Sequence, residues 1–174
     1  MLCAECGSSH DVGDLALARP DALAGALAGA TGRAQMGKDL CVLWGSADAD
    51  EADAARAADR FFVRGSVEVR LVDALEAVVW SLWVEVDADV FERVVTRWSD
   101  FGQAGDPPQP CRVANRVPGY EDTLELEATL CFEGRERCPR VELSPSSEHA
   151  FARECRRGVT RHRCAEWFAA LPPS

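Results

Sequence analysis

Three stretches of the chain alternate apolar and polar residues with a period of two, and that pattern commits much of it to a sheet. In Phe61 to Val72, Val67, Val69 and Leu71 alternate with Ser66, Glu68 and Arg70. In Val79 to Val86, Trp80, Leu82, Val84 and Val86 alternate with Ser81, Trp83 and Glu85. Thr123 to Cys131 repeats it, with Leu124, Leu126, Ala128 and Leu130 against Glu125, Glu127 and Thr129. Successive side chains of a strand point to opposite faces, so each stretch predicts a strand with one buried face. Asp39 to Trp44 adds a short buried strand, Leu40-Cys41-Val42-Leu43, and Val141 with Leu143 another. Phe132 to Pro139 links the last two strands as a hairpin.

Helical spacing appears elsewhere. Val90, Phe91, Val94, Val95 and Trp98 form one stripe behind Asp87, a plausible N-cap. Residues 21 to 36 predict a weak helix, loosened by Gly25 and Gly29. The prolines of Gly102 to Pro110 break regular structure. Two helices close the chain. One runs from His149 to Arg157 and stops at Gly158; the other is capped by Thr160 and striped by Cys164, Trp167, Phe168 and Leu171. The expected fold is α+β: a mainly antiparallel sheet with helices packed on one face, plus a small N-terminal Cys/His knuckle. Residues 1–174 read as a single domain, with the knuckle head over 1–20 and an acidic Ala/Asp-rich insert over 46–59. That insert lacks the central glycine and distal glutamate of a calcium loop and reads as a solvated spacer.

The net charge of −10 argues against nucleic acid, whose binders need a basic surface. Arg153, Arg156, Arg157, Arg161 and Arg163 crowd together near the C-terminus, a cluster that reads as a solvated helical face. An acidic body is suited to a protein partner with a basic surface. No apolar run is long enough to span a membrane. The first residues lack the charged and apolar regions of a signal peptide, so the expected compartment is the cytoplasm.

The most chemical stretch is Cys3-Ala4-Glu5-Cys6-Gly7-Ser8-Ser9-His10. Two cysteines three apart followed by glycine make the turn of a zinc knuckle, aiming both sulfurs at one point. His10 would be a third ligand, and Cys41 is the best candidate for a fourth, giving one closed, structural zinc site. No second Cys-x-x-Cys pair follows. A redox pair and two ordinary thiols are the rival readings; the first lacks the preceding strand that a thioredoxin-like site requires.

Known catalytic motifs are absent: no nucleophile elbow, phosphate loop, dinucleotide fingerprint or His-Glu-x-x-His pair is found. The segment Asn115-Arg116-Val117-Pro118-Gly119-Tyr120-Glu121-Asp122-Thr123 groups polar residues around a Pro-Gly turn. It reads either as a loop held by its own hydrogen bonds and a packed ring, or as a recognition loop. Asn115, Arg116, Tyr120, Asp122 and His149 are the candidate ligand or partner residues; no catalytic residue is assigned.

In order along the chain stand Cys3-x-x-Cys6-Gly7-x-x-His10, Asp39-Leu40-Cys41-Val42, Phe61-Phe62-Val63-Arg64-Gly65, Trp80-x-x-Trp83-Val84, Phe91-Glu92-Arg93, Trp98, Asn115-Arg116-x-Pro118-Gly119-Tyr120-x-Asp122-Thr123-Leu124 and His149-x-x-Ala152. Together they resemble the bacterial family designated domain of unknown function 2199. The resemblance implies a small bacterial protein with a cysteine-bearing head and supplies no activity. The sequence favours a non-enzymatic protein-binding or regulatory module. The alternative is an enzyme of unknown class with its site near the Asn115 to Thr123 loop.

Overall fold

The computed structural model describes Cys6 and residues 13–28, 33–45, 59–134 and 137–171. In chain order these form β1 (Leu15–Ala16), α1 (Asp21–Ala28), β2 (Arg33–Met36), β3 (Leu40–Trp44), β4 (Arg60–Arg70), β5 (Ala77–Val86), α2 (Ala88–Arg97), a 3-10 turn (Phe101–Gly105), β6 (Gln109–Val113), β7 (Glu127–Cys131), β8 (Arg140–Leu143), α3 (Ala150–Arg157) and α4 (Arg161–Ala170). The architecture is α+β.

The two longest alternating stretches pair as one antiparallel hairpin, from Phe61↔Val86 to Arg70↔Ala77. β5–β6, β6–β7 and β7–β8 continue antiparallel, and β8 returns to β4 in parallel through Ser66↔Arg140. The mainly antiparallel sheet expected to carry helices on one face therefore closes into a small barrel. Gly65 is the reason closure is possible. It shares the inward phase of Val63 and Val67, and a Cβ placed on it would lie 2.3 Å from Val141 Cγ2. Lacking that atom, β4 lets β8 approach at the seam, a recognised use of glycine inside a strand. Ser66 N–H then donates to Pro139 O at 2.9 Å.

Outside the barrel, the first part of β4 pairs with β3, and β3 with β2. β1 adds to β5 in parallel at Leu15↔Trp80. The inward phase of the strands fills one core with Val67, Val69, Trp80, Leu82, Val84, Leu130 and Val141, joined by Phe151 of α3 and Trp167 of α4. A second cluster, on the opposite phase of β4 and β5, holds Leu23, Cys41, Phe62, Trp83 and Ala114. It accounts for a tryptophan at a position whose neighbours in phase are Ser81 and Glu85. Fully burying such a side chain contributes roughly 1.5–3 kcal/mol.

Three local expectations change. The helix expected over 21 to 36 stops at Ala28, and Arg33–Met36 is a strand pairing with β3. The proline-rich stretch ends in β6, where Pro110 lies in the half that pairs β7 alone; a missing N–H is tolerated at such an edge. The third alternating stretch is a strand only from Glu127, because Asp122 and Glu125 adopt positive φ, 50° and 63°. In α2, Val90 and Val94 are buried as expected, whereas Val95 is exposed. Residues 46–58 of the acidic insert and most of the head lie outside the described residues.

Candidate functional site

Two buried polar side chains shape the loop between β6 and β7. Asn115 Oδ1 accepts the Trp83 backbone N–H at 2.7 Å, and Nδ2 donates to Arg19 O at 2.8 Å and Asp21 Oδ1 at 3.3 Å. It thereby ties the loop to β5 and to the start of α1. Thr123 Oγ1 accepts the Val117 N–H and donates to Asn115 O, both at 2.8 Å, closing the loop on itself. Arg116 is exposed and pairs with Asp21 at 3.3 Å. Gly119, at φ 86°, supplies the left-handed turn that the Pro-Gly pair predicts.

The far side of the loop meets the start of α3. His149 caps that helix, its Nδ1 accepting the Phe151 N–H at 3.2 Å. An accepting Nδ1 carries no proton, so Nε2 holds it and donates to Glu121 O at 2.6 Å. Tyr120 lies against His149, Phe151 and Trp167, with ring centroids 6.3, 5.1 and 6.3 Å apart. Its hydroxyl donates to Glu154 Oε2 at 2.5 Å and accepts from Trp167 Nε1 at 2.8 Å. Arg163 Nε also donates to Glu154 Oε2, at 3.0 Å, while its guanidinium lies 5.2 Å from the Tyr120 ring centroid. Burial, then the Glu154 carboxylate, push the phenol far above its ordinary pKa.

Gly119, Tyr120, Glu121, Asp122, His149, Ala150 and Arg163 line one depression of about 440 Å³. The structure thus brings Tyr120, Asp122 and His149 together and places Asn115 and Arg116 on the opposite side of the loop, against α1. Glu154, Arg163 and Trp167 complete the arrangement and were not among the sequence candidates. Trp167 was legible as a core residue. Nothing in the sequence links Glu154 and Arg163 to a tyrosine more than 30 residues away, as the Tyr120–Glu154 separation of 34 shows. Around the depression, Glu121, Asp122 and Glu148 are exposed, and among the described residues no cation pairs with them.

Of the four candidate metal ligands, Cys6 and Cys41 are among the described residues. Cys3 and His10 lie outside them, Cys6 is exposed, and Cys41 is buried in the second core cluster. Burial raises the Cys41 thiol pKa. Among the described residues no group of three or more His, Cys, Asp or Glu side chains is placed to hold a metal ion. No helix among them is long and apolar enough to cross a membrane.

The chain belongs to the family described as an uncharacterized protein conserved in bacteria (DUF2199), whose model matches residues 2–159. This is the family that the ordered motifs resemble. The match takes in the loop, His149 and Glu154 and stops before α4, so Arg163 and Trp167 reach Tyr120 from beyond the matched span. No curated protein and no solved structure matches the chain.

Proposed function

We propose that the chain is a non-catalytic protein-binding module, and that the Gly119–Asp122 tip of the loop is its recognition surface. One observation carries the reading. The groups that could move protons around the depression are engaged in holding the loop, while no cation among the described residues pairs with the carboxylates at its tip. Asn115 and Thr123 fix the loop from within, and both ring nitrogens of His149 fix it to α3. A loop held in advance loses little conformational freedom on binding. Glu121 and Asp122, with Glu148 beside them, suit a partner with a basic surface, as does the net charge of −10. A structural zinc in the head, held by Cys3, Cys6, His10 and Cys41, belongs to the same proposal as a staple outside the binding surface.

An enzymatic reading draws on the convergence of Tyr120, Asp122 and His149 in one depression. It would require His149 to release Glu121 O and a phenol whose ionisation is strongly opposed. A photo-crosslinking residue placed at Glu121 in bacterial cells distinguishes the two. A single protein captured there, and lost on Asp122→Arg, supports recognition by the loop. No capture, with turnover of a substrate that His149→Gln abolishes, would establish the enzyme instead.

A further inference from the structure

Six arginines of this acidic chain are neutralised where they stand. Arg60, Arg97, Arg112, Arg116, Arg140 and Arg163 each have a carboxylate within ion-pair distance. Arg156 donates to the carbonyls of Ser144 and Ser147. Among the described residues Arg19 and Arg93 also lack a carboxylate partner, but Arg153 and Arg157 lie on one helix, side by side. Both are exposed on α3, and among the described residues neither guanidinium has a carboxylate or carbonyl partner. They are four residues apart, hence one above the other on a single helix face. With Ala150, Glu154 and Gly158 they line a hollow of about 290 Å³. Glu154, the acid in that hollow, is engaged by Tyr120 and Arg163. Arg70 adds a further guanidinium, donating to Arg157 O at 3.3 Å.

We propose that Arg153 and Arg157 form a docking site for an acidic segment of a protein partner. Residues one helical turn apart have Cβ atoms about 5–6 Å apart. Alternate side chains of an extended segment, spaced roughly 7 Å on one face, present carboxylates at a matching interval. Each guanidinium offers a planar fork to one carboxylate. Being of opposite charge, this site is separate from the carboxylate tip of the loop and stands without it.

The probe is a fluorescein-labelled peptide of alternating threonine and glutamate, titrated with the full chain and followed by anisotropy. Saturable binding that weakens with added salt is expected. Arg153→Ala with Arg157→Ala should weaken it about tenfold or more, and the lysine pair should recover part of the loss. Arg93→Ala on α2 and Glu121→Gln in the loop should leave it unchanged. Circular dichroism and the melting midpoint check that the variants fold; Arg→Gln at both positions, which keeps the stems, replaces any that do not. Equal binding by wild type and the double variant overturns the proposal, as does equal binding of a threonine–glutamine peptide. Concentration-dependent self-association in sedimentation, abolished by the same pair, would make the occupant a second copy and overturn it too.

Discussion

Gly65→Ala tests whether close approach at the barrel seam holds the fold together. The added Cβ would sit 2.3 Å from Val141 Cγ2 and 3.3 Å from Pro139 O. Carbon atoms pack at about 3.5–4.0 Å, so Val141 must retreat by more than about 1 Å. Its branched side chain has few rotamers to retreat into. The alternative is to move β8, which strains the 2.9 Å bond from Ser66 N–H to Pro139 O. Overpacking of this kind costs about 1–3 kcal/mol. Alanine's smaller unfolded-state entropy returns about 0.4–1 kcal/mol. The expected net loss is therefore about 1–2 kcal/mol, or roughly 2–8 °C in melting midpoint for a domain of this size. Urea unfolding followed by tryptophan fluorescence reads it directly, because Trp80, Trp83 and Trp167 are fully buried. Val141→Ala removes the atom that the new Cβ would strike, at its own cost of about 1–3 kcal/mol. If the clash is the cause, the double variant is more stable than the sum of the singles by about 1 kcal/mol or more. Additivity within about 0.5 kcal/mol would refute the seam argument.

Three further outcomes follow from the site. Asn115→Ala leaves the Trp83 N–H and the Arg19 carbonyl without their partner, and should cost roughly 2–3 kcal/mol in urea unfolding; a change within about 0.5 kcal/mol would show that water replaces the amide. Tyr120 is the single tyrosine, so the phenolate spectrum reports it alone. Its folded pKa is raised above the unfolded value near 10, so the stability it contributes is present below about pH 10 and is lost as pH rises beyond it. The native chain should therefore show no phenolate at a pH where urea-unfolded chain is half ionised, and Tyr120→Phe should lack this component of alkaline destabilisation; coincident titration curves would contradict the buried hydroxyl. Elemental analysis of protein purified without chelator should find about one zinc per chain, absent in Cys6→Ser, whereas metal-free wild type would return Cys3 and Cys6 to ordinary thiols.

The strands were legible wherever one face is buried, because burial on one side writes a period of two. β4, β5 and β8 follow it, and the α2 stripe follows its own period at Val90 and Val94. Barrel closure was not legible. It depends on a contact between Gly65 and Val141, residues far apart in sequence, and a glycine in a strand announces close approach without naming what approaches. β6 was hidden by Pro110, which local rules read as a break although one half of that strand pairs on a single side. Thr123 to Leu126 misled in the other direction. Their alternation matches a strand, but Thr123 bonds within the loop and Glu125 takes positive φ. At the site, the Pro-Gly turn and the N-cap position of His149 were visible, whereas the Tyr120–Glu154–Arg163 contacts arise from packing α3 and α4 beside the loop.

Both proposed surfaces converge on α3, and that shared element explains why a short helix would matter to a binding module. Its first residue boundary, His149, holds the carboxylate tip through Glu121 O. Its middle, Glu154, holds Tyr120 and Arg163. Its exposed face carries Arg153 and Arg157. Phe151, fully buried against Trp80 at 6.1 Å between centroids, anchors all of this to the barrel. His149→Ala should then do more than remove a cap, whose loss alone costs about 1 kcal/mol. It frees Glu121 O and loosens the tip, while Arg153 and Arg157 stay on a helix still fixed by Phe151. Crosslinking from Glu121 should fall, and affinity for the acidic peptide should hold. Equal loss of both would mean that the two surfaces are one site sharing a partner. Loss of neither would mean that Asn115 and Thr123 alone define the loop.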